Sequence, residues 1–244
     1  MGVMYGVNPT WGAQTNEGRT HIATKGIVQS GLLLNLDAGV SSSYPGSGTT
    51  WTDLSGNGRN GTLSTTSIGY NIDNGGSLVF DGTDDQVTVS GSSFTVTAST
   101  WIVWMRRGGI DGYDGILFSR VPQTVGINFI GGGPLSYHYE GTSPGPGYDW
   151  NSNLIPPEAW SMVAFTFTST GATAYLYQAS GLTTASNNYN HPPVTVNGLR
   201  VGNDAALAGR LYQGRISQAL IYNRALTATE IQQNYLATKS RYGL

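Results

Sequence analysis

Short runs in which apolar and polar residues alternate cover most of the chain, and this period of two predicts β-strands. In AWSMVAFTFTST, the side chains of Val163, Phe165 and Phe167 fall on one face. The residues between them, Ala164 and Thr166, fall on the other face, which predicts a half-buried strand. The run ATAYLYQ follows across the short turn STGA, so the two runs are expected to form a hairpin.

The run FTVTASTWIVWMRR carries apolar residues on both faces. Trp101, Val103 and Met105 alternate with Ile102 and Trp104. A strand that is apolar on both faces is typical of a position between two layers. We therefore predict that this run is one central strand.

One segment, LTATEIQQNYLATK near the carboxyl end, has helical signals instead. Thr227 is a good N-cap, and Glu230 lies three residues later, which makes a capping box. Leu226 and Ile231 have the spacing of a hydrophobic staple. The sequence therefore predicts one short C-terminal helix.

Residues 1–29 show little apolar periodicity, and we interpret them as an extended N-terminal arm that precedes a single domain over residues 30–244. Two interpretations of the arm stay open, a free tail and a segment that docks on a neighbouring subunit. Its large apolar residues, among them Tyr5 and Trp11, favour docking.

Composition agrees with an all-β fold and excludes several functions. Glycine is abundant at 35 residues, only 11% of residues are charged, and aromatic residues reach 11%, as expected for many strands and turns around a real core. The net charge of −2 and the absence of a Lys/Arg run argue against nucleic-acid binding. No apolar run approaches the ~20 residues of a membrane helix, and no charged-then-apolar secretory signal begins the chain. With no cysteine, the chain has no disulfide and no thiolate zinc site.

A set of motifs in a fixed order resembles the laminin-G-like, concanavalin A-like jelly-roll superfamily. The motifs are SLVFDGTDDQVTV, FTVTASTWIVWMRR, GILFSR, EAWSMVAFTF, AYLY, LRVGN and YQGRISQALIYNRALTATEIQQNY. This resemblance implies an all-β, two-sheet antiparallel jelly-roll sandwich in which the first strand (32–37) and the last strand (216–223) lie side by side. The segments GLLLNLDAG, YPGSGTTWTDLSGNGRNGTL and NYLATKSRYGL further resemble the version of this domain found in structural proteins of tailed bacteriophages.

Three aspartates, Asp81, Asp84 and Asp85, are concentrated in VFDGTDDQVTV. Catalysis is disfavoured, because adjacent aspartates on a strand point to opposite faces and the E-x-D-x-E spacing of related glycosidases is absent. Calcium stays an alternative, since relatives often hold one at a sandwich edge, but Ser217 and Gln218 stand where many relatives carry acids. We favour a tight turn around Gly82, with no cofactor and no metal.

A ligand face is the remaining candidate site. Tyr113, Tyr148 and Trp150 fall in turn-rich loops, where exposed aromatic rings could stack on a sugar. The alternative is that these rings seal the ends of the sandwich. The histidines, including His138 and His191, are expected to be surface residues without a ligand role.

Two functions follow from these observations. The first is a non-enzymatic virion structural protein, a capsid decoration (cement) protein or a tail or fibre component, assembled as a homo-oligomer with a trimer favoured. It would be made in the host cytoplasm and would contact other virion proteins. The alternative is a carbohydrate-binding module or adhesin that recognises a glycan on the host surface.

Overall fold

A computed structural model of the chain describes residues 26–64, 68–109, 112–131, 133–142, 150–204 and 209–244. Over these ranges the chain forms 18 strands, one α-helix (α1, Ala228–Thr238) and two 3₁₀ turns (Asp73–Gly75 and Lys239–Tyr242). The strands are β1 (Leu32–Asp37), β2 (Thr50–Trp51), β3 (Gly61–Leu63), β4 (Gly69–Asn71), β5 (Ser77–Asp81), β6 (Val87–Val89), β7 (Phe94–Val96), β8 (Ser99–Arg107), β9 (Gly115–Ser119), β10 (Val121–Pro122), β11 (Val125–Phe129), β12 (Leu135–Tyr139), β13 (Trp160–Thr168), β14 (Gly171–Gln178), β15 (Gly181–Asn187), β16 (Val194–Asn197), β17 (Arg200–Val201) and β18 (Gln213–Tyr222).

The strands form two large antiparallel sheets and one small one. Sheet A has the order β15-β14-β13-β8-β18-β5-β4, and β1 also pairs with β18. Sheet B has the order β12-β11-β9-β17-β6-β3-β2, and β10-β16-β7 form the small sheet. β1 pairs with β18 from Leu32↔Tyr222 to Asp37↔Gln218, so the predicted neighbourhood of the first and last strands is confirmed. The predicted all-β, two-sheet sandwich is also confirmed.

The main core lies between sheets A and B. Sheet A contributes Trp101, Val103 and Met105, and sheet B contributes Leu117 and Tyr137, all of them buried. Burial of apolar area of this kind is the dominant stabilising contribution to folding. The prediction that the β8 run is central and apolar on both faces is confirmed, since β13 and β18 flank it on its two sides.

A second apolar layer covers the other face of sheet A. The indole of Trp104 stacks on Tyr242 with ring centroids 4.0 Å apart and on Tyr235 at 5.8 Å. Ala164 belongs to this layer. The prediction that the 160–168 strand is half-buried is therefore wrong, because the C-terminal helix and the turn after it cover its second face.

The predicted central run also proves to be two strands. Its first part, β7, pairs with β16 in the small sheet, whereas β8 lies in sheet A. Residues 97–98 form a bend between them. The single-strand prediction was wrong because apolar alternation continues across this corner, where the chain passes from one sheet to the other.

The helix begins where the sequence predicts. The Thr227 side chain accepts a hydrogen bond from the Glu230 backbone N–H, and Glu230 accepts one from Thr227 N, so the capping box is confirmed. Leu226 and Ile231 are both buried in the second layer. A salt bridge from Arg224 (2.6 Å) and the cap lower the pKa of the Glu230 carboxyl to about 2.

The start of the described chain packs along this helix. Val28 N–H donates to Asn234 Oδ1 at 2.8 Å, and the Tyr222 hydroxyl donates to Val28 O at 3.0 Å. Residues 1–25 of the predicted arm lie outside the described residues. No helix in the described part of the chain is long and apolar enough to cross a membrane.

Candidate functional site

The outer face of sheet B, directed away from the core, carries a row of side chains on neighbouring strands. Leu117, Ile127 and Tyr137 point into the core. Alternate residues point to the opposite face, and two of them, Phe118 and His138, flank a common β11 partner by register. Arg200 and Thr88 continue the same row across β17 and β6.

At one end of this row, the Phe118 ring packs against the backbone of one neighbour and the guanidinium of another. The Phe118 ring lies directly over Gly126, where a Cβ atom would come within 2.4 Å of the ring. The guanidinium of Arg120 lies over the Phe118 ring, 4.9 Å from its centroid. Glycine is therefore required at position 126, because any larger residue would displace the ring.

Asp204 ties the loop after β17 to the Arg120 guanidinium. Its side chain is fully buried, and Arg120 donates to both of its oxygens, Nε to Oδ1 at 2.6 Å and Nη2 to Oδ2 at 2.7 Å. Arg210 donates to Oδ2 at 2.6 Å. Bidentate arginine–carboxylate pairs are among the strongest side-chain hydrogen bonds, so this cluster is geometrically fixed.

Tyr113 lies at the edge of the cluster and is 41% exposed. The Arg210 guanidinium lies 5.1 Å from its ring centroid, within the range of a cation–π interaction. One predicted site residue thus belongs to a group that sequence reasoning otherwise missed: Arg120, Asp204 and Arg210. Their positions in the sequence form no recognisable motif, because Arg120 and Asp204 come together only in the folded protein.

His138 and His191 are both buried, so their prediction as surface residues was wrong. Burial first, and the positive charge of Arg120 second, lower the pKa of His138 to about 4. Burial also lowers the pKa of His191, whose Nε2 lies 2.7 Å from the Tyr137 hydroxyl. Both imidazoles are neutral at pH 7 and act as packed polar groups.

Trp150 is half-buried and packs against the main core, 5.5 Å from Tyr137 and 6.4 Å from Phe165 between ring centroids. It lies beside β12, the edge strand of sheet B, since Ser152 Oγ donates to Leu135 O at 2.7 Å. Much of its ring surface therefore faces protein. Tyr148 lies outside the described residues.

The aspartate-rich stretch forms a turn. Gly82 has φ of 81°, and Asp81 Oδ1 accepts hydrogen bonds from Thr83 N at 2.7 Å and Asp84 N at 3.4 Å. Asp85 Oδ2 accepts from Asp81 N at 3.0 Å. Carboxylate oxygens of the three aspartates lie within 4.8 Å of one another. Two of these oxygens, Asp81 Oδ1 and Asp85 Oδ2, thus already accept hydrogen bonds from the backbone.

Ser217 and Gln218, at the positions for which the resemblance implies acids, make hydrogen bonds within the protein. Ser217 Oγ donates to Gly76 O at 2.6 Å and accepts from the Tyr242 hydroxyl at 2.8 Å. Gln218 Nε2 donates to Asp37 Oδ2 at 3.0 Å. Both side chains are buried and are part of the packing between β18 and the C-terminal segment.

Comparison by sequence gives one family. The concanavalin A-like lectin/glucanases superfamily matches residues 81–232, more than half of the chain. No curated protein sequence matches the chain significantly.

Solved structures with the same fold are found at low identity. Domain 4 of AbnA, a GH43 extracellular arabinanase from Geobacillus stearothermophilus, in complex with arabinotriose, superposes with a TM-score of 0.60 at 19% identity, over 84% of this chain and 98% of that one. Trypanosoma rangeli sialidase in complex with the inhibitor DANA gives a TM-score of 0.59 at 13% identity, over 88% of this chain and 34% of that one. The binding domain of Paraclostridial Mosquitocidal Protein 1 gives 0.59 at 17% identity, over 87% of this chain and 53% of that one. The chain spans only a third of the sialidase and half of the binding domain, and the likeness is one of fold.

Proposed function

The chain belongs to the concanavalin A-like lectin/glucanases superfamily, and from this premise we propose that it is a non-catalytic carbohydrate-binding domain. The observation that carries the proposal is the exposed Tyr113 ring, which Arg210 and the buried carboxylate of Asp204 hold in place. An aromatic face beside fixed polar groups suits a sugar ring, because the ring stacks on the apolar C–H face of the sugar while polar groups bind its hydroxyls. The fold shared with an arabinanase domain in complex with arabinotriose supports this choice.

The same geometry favours binding over hydrolysis. Retaining glycoside hydrolysis needs two carboxyl groups roughly 5–5.5 Å apart, one as acid and one as nucleophile. In this cluster the Asp204 carboxylate is buried and fully engaged by two arginines. Elsewhere, Glu230 closes the capping box, and Glu140 accepts from Thr124 N at 2.6 Å.

A glycan array followed by isothermal titration calorimetry with the best ligand tests the proposal. Tyr113→Ala should weaken binding by about tenfold or more, equivalent to ~1.4 kcal/mol, and Tyr113→Phe should retain most of it because the stacking face stays. Leu182→Ala is the matched control, since Leu182 is 47% exposed on the edge strand β15 of the other sheet. This control should bind like the wild type.

An array without any reproducible ligand would contradict the proposal. So would a saturable ligand whose affinity is the same for Tyr113→Ala and the wild type. Trp150→Ala is a poorer test, because loss of a ring packed on Phe165 would disturb the core as well as any surface.

A role in a phage particle is the second candidate, supported by the three segments that resemble phage structural proteins. In the fold these segments bond to one another: Asn35 N–H donates to Asp53 Oδ1 at 2.9 Å, and Arg241 binds Asp37 at 2.7 Å. They therefore form one continuous substructure. We propose that such a protein would decorate a capsid as a homotrimer tied together by its N-terminal arm, and glycan binding could coexist with this role.

Immunolabelled negative-stain images of purified particles test the virion candidate. Label on shell or tail would support it, and label on neither would exclude it. Cement binds only the assembled shell and so stabilises it by mass action; particles that lack the protein should then lose their DNA at a lower temperature.

A further inference from the structure

Three arginines surround a groove at the end of sheet A where β8 ends and β18 begins. The groove has a volume of about 360 Å³, and its lining includes Arg106, Arg107, Arg215, Glu158 and Gln213. Three arginines and one glutamate give it a formal charge of +3 − 1 = +2, whereas the whole chain carries −2. The groove is thus a local concentration of positive charge on a nearly neutral protein.

Within the described ranges, these arginines have no carboxylate partner. Four other arginines form all the salt bridges found there: Arg120, Arg210, Arg224 and Arg241. Arg106 donates only a long 3.4 Å hydrogen bond, to the backbone oxygen of Glu158. Arg107 Nε is buried and has no acceptor. Guanidinium groups in this state have unused donors for an anion.

The strand register places two of these arginines directly opposite each other. Arg215 on β18 is the direct cross-strand partner of Arg106 on β8. Directly opposed residues have Cβ atoms roughly 4.5–5.5 Å apart, so the two guanidiniums share one side of the sheet, and like charges on directly opposed residues are destabilising. An anion between the two guanidiniums would replace the repulsion with charge-assisted hydrogen bonds.

The groove and the Tyr113 cluster are close to each other along the chain. Gly109, which lines the groove, is four residues before Tyr113, a span of at most ~14 Å. Gln213, which also lines it, is three residues after Arg210, the residue that contacts the Tyr113 ring. The Gly109 backbone N–H donates to Gln213 Oε1 at 3.0 Å, so the two loops are joined at the groove.

We infer that the groove binds the carboxylate or sulfate group of an acidic polysaccharide whose sugar ring stacks on Tyr113. The planar fork of arginine matches the oxygens of both anions, and the inference rests on the proposed carbohydrate-binding function. The groove thus adds the chemical class of the ligand, which is an acidic polysaccharide and not a neutral one.

Binding of the full chain to three polymers tests the inference: dextran, dextran sulfate and polygalacturonate. At low salt the wild type should bind at least one of the two acidic polymers about tenfold more tightly than dextran. This preference should fall as salt rises, because an exposed charge interaction is screened beyond ~10 Å at 0.1 M. The sulfated and carboxylated polymers show which anion the groove prefers.

The double variant Arg106→Gln with Arg215→Gln should bind the acidic polymer about tenfold more weakly than the wild type, so that its preference over dextran disappears. The control Arg59→Gln with Lys239→Gln removes the same charge away from the groove and should keep it within about twofold. Arg215→Gln alone should melt no lower than the wild type, because it relieves repulsion between opposed like charges. A lower melting temperature would indicate that the arginines are structural and would overturn the inference.

The outcomes separate this inference from the proposed function. If Tyr113→Ala weakens polymer binding but the Arg106/Arg215 double variant does not, the groove inference is wrong and the carbohydrate proposal stands. If the groove binds inorganic sulfate but neither acidic polymer binds, the inference is wrong, and the glycan array alone then decides the carbohydrate proposal. Tighter binding to a DNA duplex than to either acidic polymer would overturn the inference in favour of a nucleic-acid ligand.

Discussion

Asp204 organises the outer face of sheet B from a fully buried position. Burial of a lone carboxylate would be very unfavourable, but Arg120 and Arg210 neutralise it and satisfy its oxygens. Each arginine then also lies over an aromatic ring, Phe118 or Tyr113. One buried charge thus fixes a buried ring, Phe118, and an exposed ring, Tyr113, and a binding site requires such rigidity.

His138 beneath this cluster makes the stability depend on pH. Its pKa is about 4 in the folded protein and 6.5 as the ordinary value, so between these values the unfolded chain binds more protons. Stability therefore falls as the pH falls from 6.5 towards 4. The contribution is on the order of 3 kcal/mol, since the two pKa values differ by about 2.5 and a difference of one corresponds to ~1.4 kcal/mol.

We predict that His138→Gln flattens this dependence in urea unfolding measured from pH 7 to pH 4. His191→Gln is the comparison, because it removes a different buried imidazole and leaves His138 in place. Wild-type and His138→Gln curves that run parallel over this pH range would contradict the assignment.

At the scale of elements, α1 closes the second apolar layer, and its first turn depends on one capping box. Thr227→Ala removes the cap and should lower the free energy of unfolding by ~1 kcal/mol. Thr97→Ala is the matched control, because Thr97 is exposed in the bend between β7 and β8. The control should stay within about 0.5 kcal/mol of the wild type.

Chemical denaturation of both variants measures this difference. Equal stabilities of Thr227→Ala and Thr97→Ala would show that the helix does not begin at Thr227. The low pKa of Glu230, about 2, keeps the carboxylate of the box charged in mildly acidic buffers. The measurement can therefore be made at any pH above ~4 without losing the second half of the box.

Sequence reasoning predicted elements better than it predicted their surroundings. Thr227 and Glu230 located the helix, because a cap is a local signal. Alternation in β13 showed that its two faces differ, but it could not show that a helix 60 residues later would bury the second face. The division of 94–107 between two sheets was missed for the same reason, since pairing partners are not local.

Of the residues in the proposed site, the sequence singled out Tyr113 alone, as an aromatic ring in a turn-rich loop that could stack on a sugar. The salt bridges of Asp204 to Arg120 and Arg210 were missed, because charged residues far apart in sequence meet only after the sheet has formed. The cross-strand pairing of Arg106 with Arg215 was also missed, because it depends on the register between β8 and β18.

At the scale of the whole molecule, the fold predicts no dependence on calcium. The Asp81, Asp84 and Asp85 carboxylates lie close together, but calcium takes six to eight oxygens, and two of the carboxylate oxygens, Asp81 Oδ1 and Asp85 Oδ2, already accept from backbone N–H groups. We predict that melting temperatures in excess calcium and in EDTA differ by less than about 2 °C, because ~1 kcal/mol shifts a domain of this size by roughly 2–4 °C.

The variant Asp84→Asn tests whether any effect of calcium on the melting temperature arises at this turn. Asp84 is exposed, so its substitution should leave the turn intact, and its melting temperature should match the wild type with or without calcium. A wild-type drop above ~5 °C in EDTA that disappears in Asp84→Asn would place a calcium ion at this turn. A drop that persists in Asp84→Asn would place the ion elsewhere. Either result would mean that the sandwich depends on a cation as well as on its two apolar layers.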